Sequence, residues 1–145
     1  MDHNEVHRVL REMKFMRELS GELRDKVASI FQAISEFRKV PLGKTWIREG
    51  EKSESKGYIL VKGSVAIRKV DSQQHLEDAP ELIGEVMQFN PAHARTASVV
   101  ATEECAVLCF DWDSFWAKTK ETLSDSDEKL VKTAVESFAW EHFTR

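Results

Sequence analysis

The residues best suited to chemistry lie in one stretch, Leu82–Ala101, which reads Leu-Ile-Gly-Glu-Val-Met-Gln-Phe-Asn-Pro-Ala-His-Ala-Arg-Thr-Ala-Ser-Val-Val-Ala. Gly84 has no Cβ, so the backbone can turn there and approach a ligand closely. Residues 85 to 89 fit one helical turn whose free N–H groups point back toward Gly84, a setting that favours phosphate or carboxylate. Arg95 adds a planar guanidinium suited to paired hydrogen bonds with phosphate oxygens. Thr96 offers a hydroxyl beside it, and Ala97 a backbone N–H with little bulk. Glu85 is the odd member, because a carboxylate repels phosphate. It fits if it accepts a hydrogen bond from a sugar hydroxyl. An anion site with a hydroxyl acceptor implies a sugar phosphate. A plainer reading of the same residues makes Gly84 a turn glycine, and Arg95 and Glu85 a surface ion pair with no ligand.

Such a loop needs a scaffold, and the flanking sequence supplies the signals of one. From Asn4 to Ser35 apolar residues recur at helical spacing and proline is absent. Val6, Val9, Leu10 and Met13 form one stripe. Leu23, Val27, Ile30, Phe31 and Ile34 form a second, with Ser20 as its N-cap. The spacing predicts two helices parted near Arg17–Ser20. The period then shortens. Thr45–Ile47, Gly57–Val61, Ser64–Val70, Ala97–Val100 and Ala106–Phe110 are short β-branched or aromatic runs, separated by turn residues such as Pro41–Gly43 and Lys62–Gly63. Short strands punctuated in this way predict a β-barrel or jelly roll, with the loop as an insertion at one end. Helical spacing returns after Asp111. Asp113 is a candidate cap for a short helix, and Ser124 or Ser126 for a longer one carrying Leu130, Val131, Ala134, Val135 and Phe138. The mainly-β reading thus places helices at residues 1–36, the barrel at 37–110 and helices at 111–145, all in one domain.

Other chemistries lack their residues. The 145 residues are 41% hydrophobic and 32% charged, with a net charge of -4. No basic face or tail suits nucleic acid, so an anionic ligand must be held by local donors. No apolar run approaches the roughly 20 residues of a membrane span, and the polar N-terminus is not a secretory signal. Cys105 and Cys109, four apart on a strand, stand roughly 13 Å apart, too far for a disulfide, and read as reduced residues of a cytoplasmic protein. His3, His7, His75, His93 and His142 include no His-x-His pair, so no metal site is expected. No nucleophile–base pair or phosphate-binding Walker motif appears, so no enzyme activity and no cofactor are expected. Trp46, Trp112 and Trp116 read as packing residues.

The ordered set Gly43-x-x-x-Ile47-x-x-Gly50-Glu51, Tyr58-Ile59-Leu60-Val61-x-Gly63-Ser64-Val65, Ile83-Gly84-Glu85 and Arg95-Thr96-Ala97 resembles the cyclic-nucleotide-binding domain family. That family contains the bacterial catabolite activator and the regulatory subunits of cAMP-dependent kinase. The resemblance runs from Phe15 to the C-terminus and implies an eight-stranded jelly-roll barrel flanked by helices. It makes residues 82–97 a phosphate-binding cassette. Arg95 would pair with the cyclic phosphate of cAMP or cGMP and Glu85 with the ribose 2′-hydroxyl. Gly84, Val86 and Ala97 would give backbone N–H groups, and Thr96 a hydroxyl for the phosphate or a guanine amino group. The Gly63–Gly84 stretch is shorter than in the catabolite activator, and Met87-Gln88-Phe89 replaces a more apolar run.

The resulting expectation is a sensor that relays cyclic-nucleotide binding through its C-terminal helix to an effector protein or an adjoining domain. Trp140 falls outside the core stripe of that helix and near Phe143, so the two are candidates for a lid over the base. A contact between copies through the terminal helices is the plainer use of the same pair. The alternative function is a ligand-free interaction or dimerisation module on the same fold. Replacing Glu85 by Gln is expected to weaken a cyclic ribonucleotide far more than its 2′-deoxy analogue in parallel titrations. Equal weakening of the two would give Glu85 another role.

Overall fold

The computed structural model describes residues 1–48, 50, 52, 55–69, 74–83 and 97–143, with the backbone alone for 142 and 143. Two helices open the chain, α1 (His3–Arg11) and α2 (Gly21–Ile34), with a 3-10 turn at Lys14–Met16 between them. The break therefore comes earlier than the apolar spacing indicated. Asp2 and Ser20 cap the two helices, accepting the N–H groups of Glu5 (2.9 Å) and Leu23 (3.2 Å). The Arg24 guanidinium closes the corner, donating to the carbonyls of Met16 (2.8 Å), Leu19 (2.9 Å) and Arg17 (2.7 Å).

Among the described residues eight strands follow: β1 (Glu36–Val40), β2 (Thr45–Ile47), β3 (Lys56–Lys62), β4 (Ser64–Arg68), β5 (His75–Asp78), β6 (Glu81–Ile83), β7 (Ser98–Ala101) and β8 (Cys105–Asp111). They form two four-stranded sheets in the orders β1-β8-β3-β6 and β2-β7-β4-β5, and every pairing is antiparallel. The expected strand number is present. Among the described residues no ladder joins the two sheets into a closed barrel. Helices α3 (Trp112–Thr122) and α4 (Asp125–Phe143) end the described chain. Among the described residues no helix is long and apolar enough to cross a membrane.

Alternation along the strands builds two cores. Leu60, Val65, Ile83, Val99, Ala101, Cys105 and Val107 meet between the sheets. The neighbours that point the other way, Ile59, Val61, Leu82, Leu108 and Phe110, join the buried faces of the helices. The second core centres on aromatic rings. Phe31 of α2 stacks on Phe115 of α3 at 4.4 Å and meets Phe110 of β8 edge-on at 5.1 Å. Each such pair adds about 0.5–1.5 kcal/mol beyond burial. Trp112 is buried there, and among the described residues its Nε1 makes no hydrogen bond. That omission costs about 1–3 kcal/mol, which the packing must offset.

Two sequence expectations need correction in the last helices. Asp111, not Asp113, caps α3, because its Oδ1 accepts the N–H groups of Asp113 (2.8 Å) and Ser114 (3.2 Å). Ser124 caps α4 through the N–H of Asp127 at 3.2 Å. Along α4, Val131, Val135 and Phe138 are buried in the cluster that joins the helices to the outer face of the first sheet, whereas Leu130, expected on the same stripe, is 54% exposed.

Gly57 lies at a tight joint between β3, the end of β8 and the start of α3. A Cβ there would lie 2.5 Å from Phe110 Cζ and 2.8 Å from Trp112 Nε1. Overpacking of this kind costs about 1–3 kcal/mol. Gly57→Ala is therefore expected to lower unfolding stability by that amount, read as a reduced urea midpoint with unchanged m-value.

Candidate functional site

Of the residues expected to bind, Gly84, Glu85, Val86, Arg95 and Thr96 lie outside the described residues, as does the expected helical turn at 85–89. Both flanks of that segment are described. Ile83 ends β6, paired with Tyr58 and buried between the sheets. Ala97 is half-buried and leads directly into β7, whose Ser98 pairs with Arg68. Residues 84–96 therefore join the edge strand of one sheet to a central strand of the other. A segment whose flanks lie at the ends of two strands is where a rigid scaffold can place binding groups.

The strand faces next to these flanks follow from register. Val99 and His75 both pair with Ile67, so the three side chains share the inner face of their sheet. Glu77 lies opposite Val65, and Glu81 opposite Leu60, so both carboxylates also turn inward. Glu77 and Glu81 are buried, Glu81 at 1% exposure. Lys14 of the 3-10 turn stands between them, its Nζ 3.7 Å from Glu77 Oε2 and 3.4 Å from Glu81 Oε2. His75 Nε2 lies 3.5 Å from Glu77 Oε1. The sequence reading passed over this cluster. Its only signal was acidic residues at inward positions of strands that were themselves not recognised.

The remaining candidates are spread out. Trp140 is 58% exposed on α4, while the backbone at 143 is helical and the Phe143 side chain lies outside the described residues. Trp46 packs partly buried against the inter-sheet core, and Trp112 stacks on Trp116 at 6.0 Å. Both cysteines are free, and burial pushes both thiols above their ordinary range. Arg38 offsets part of that rise at Cys109. Cys105 Sγ donates toward the carbonyls of Ser64 and Glu103, each at 3.3 Å. Among the described residues no group of three or more His, Cys, Asp or Glu stands close enough to hold a metal ion. A groove of about 470 Å³, lined by Asp25, Lys26, Ile30, Lys118 and Leu123, lies on the helical layer rather than between the sheets.

Comparison with known proteins agrees with this architecture. The catabolite activator protein of Thermus thermophilus superposes with a TM-score of 0.66 at 21% identity, over 90% of this chain and 58% of its own. This chain thus spans a little over half the length of that regulator. The sensor domain of the transcriptional regulator DNR from Pseudomonas aeruginosa gives 0.67 at 17% identity, over 91% of each chain. The global regulator CLP of Xanthomonas campestris, described as responsive to c-di-GMP, gives 0.64 at 18% identity, over 82% of this chain and 59% of its own. No curated protein matches the chain in sequence. The model of the cyclic nucleotide-binding domain matches residues 37–122, more than half of the chain and nearly the whole β-sheet region, so the chain belongs to the cyclic nucleotide-binding domain family.

Proposed function

We propose that this chain is a single sensor domain that binds cAMP or cGMP at residues 84–97 and relays the binding to an effector protein or an adjoining domain, without catalysis of its own. The observation that carries this reading is the family match across residues 37–122, which includes the Gly84-Glu85 and Arg95-Thr96-Ala97 motifs. In this reading Arg95 pairs with the cyclic phosphate. Gly84, Val86 and Ala97 supply backbone N–H groups, Glu85 takes the ribose hydroxyl, and Thr96 faces the phosphate or base. The buried end of β6 and the start of β7 support it, because they fix both ends of the segment. Free cysteines accord with a cytoplasmic setting. Nucleic acid and membranes are not partners of this chain in the reading.

The ligand can shift α4 only as far as it prefers one position of the helix over another. Calorimetric titration with cAMP, cGMP and c-di-GMP tests the reading, with Arg95→Ala as its control. The arginine contact is worth roughly 2–5 kcal/mol when partly buried. The variant is expected to lose at least thirtyfold in affinity while remaining folded. Binding within threefold of the parent would remove Arg95 from the site.

A second reading, an interaction module joined through α4, is favoured by one observation: Leu130 and Trp140 are both more than half exposed on that helix. Trp140→Ala separates the two. If Trp140 with Phe143 closes over the base, the variant is expected to bind at least tenfold more weakly at unchanged oligomeric state, since stacking on a base is worth about 1–3 kcal/mol. A variant with unaltered affinity that changes from dimer to monomer would place Trp140 in an interface instead.

A further inference from the structure

Strands β5 and β6 are the edges of different sheets, and among the described residues no backbone ladder joins them. The seam between them is nevertheless where both inward carboxylates lie, Glu77 on β5 and Glu81 on β6. Two like charges buried side by side at the rim of an apolar core repel each other, and burial strengthens that repulsion. The ammonium of Lys14 sits within 3.7 Å of one and 3.4 Å of the other. Glu81 is held from a second side as well, its Oε1 accepting the Leu82 N–H at 3.2 Å.

The backbone that carries Lys14 is held in place. Its neighbours Met13, Phe15 and Met16 are buried, and Phe15 packs on Phe31 of α2 and Phe138 of α4, both at 6.3 Å. Arg24 ties down the carbonyls just after it. The helical layer thus brings a cation, on an anchored backbone, to the seam between the sheets. From this geometry we infer that Lys14 is a positioning residue for ligand binding: it clamps β5 to β6 through Glu77 and Glu81, and so fixes the strand that runs directly into Gly84. The inference rests on residues 84–97 being the ligand site. What it adds is that the N-terminal helical layer, through one charge, holds that site in register.

Amide hydrogen exchange on the ligand-free protein, together with calorimetric affinity for cAMP and cGMP, tests the clamp. In Lys14→Met the amides of residues 81–83 are expected to exchange at least tenfold faster relative to Val107 and Leu108 of β8, and affinity to fall tenfold or more. Lys14→Arg is expected to restore both within threefold. In a Glu77→Gln, Glu81→Gln background, Lys14→Met is expected to change either quantity less than threefold, because no buried charge is left to balance. Leu123→Ala, at a residue buried in the helical layer and on none of the strands around the seam, serves as a destabilised control expected to keep its affinity. Lys14→Met with parental exchange and affinity, or Leu123→Ala with an equal loss of affinity, would overturn the inference. If Lys14→Met does not fold, the triple variant decides: folded supports the charge clamp, unfolded overturns it. A parent that binds neither nucleotide would refute the proposed ligand instead, and the exchange result would still decide the role of Lys14.

Discussion

Strands β8 and β3, at the centre of the sheet β1-β8-β3-β6, are apolar on both faces, and the rest of the molecule is arranged around that constraint. Along β3, Ile59, Leu60 and Val61 are all buried, and β8 is buried from Cys105 to Leu108. A strand buried on both sides needs a layer on each. The second sheet covers one face, meeting Leu60, Ile83 and Val107, and the four helices cover the other around Phe31, Phe110 and Phe115. Each large side chain buried there stabilises by about 1.5–3 kcal/mol. Neither core is complete without this shared sheet, so the helices are bound to the sheets by packing rather than by linkers.

The same constraint explains what could be read from the sequence. Runs that bury side chains on both faces, such as Tyr58–Val61 and Ala106–Phe110, stand out as continuous apolar segments, and they were legible as strands. Strands β1, β5 and β6 were not recognised from their residues. β1 is mostly exposed, with Glu36, Arg38 and Lys39 among its five residues. β5, His-Leu-Glu-Asp, turns its one large apolar side chain, Leu76, outward and its glutamate inward. β6 is three residues long and begins with a buried acid. Patterning by polarity fails where an inward position is charged, because the compensating partner, Lys14, lies more than 60 residues away in sequence. The cap of α3 slipped by two residues for a local reason: Asp111 and Asp113 are equally good acceptors in composition, and only the end of β8 decides between them. Leu130 looked like core because helical spacing ignores which neighbours are present to cover it.

The candidate site was legible in a different way. Periodicity did not mark the residues at 84–97; their types and order did, a glycine and an acid followed at a distance by Arg-Thr-Ala. That pattern carries chemistry but no information about how the segment is held. The structure supplies the missing part in the positions of Ile83, the last residue of β6, and Ala97, which directly precedes β7. The buried carboxylates of β5 and β6 had no counterpart in the motif.

The two flanks differ in stiffness, and this bears on how binding at 84–97 would act on the rest of the chain. β7 lies between β2 and β4, with four residues in register on one side and two on the other. Among the described residues β6 has one partner strand, with three register pairs, and carries the Lys14–Glu81 ion pair. Of the two, β6 is the strand that gives at lower cost. A ligand shifts a conformational equilibrium only by its difference in affinity for the two states. A ligand bound at 84–97, between β6 and β7, would act first on the seam where Lys14 meets Glu77 and Glu81. The 3-10 turn that carries Lys14 also carries Phe15, which packs on Phe138 of α4. The same three-residue turn thus touches both the seam and the terminal helix, so a shift at 84–97 that displaced β6 would reach α4 by way of that turn.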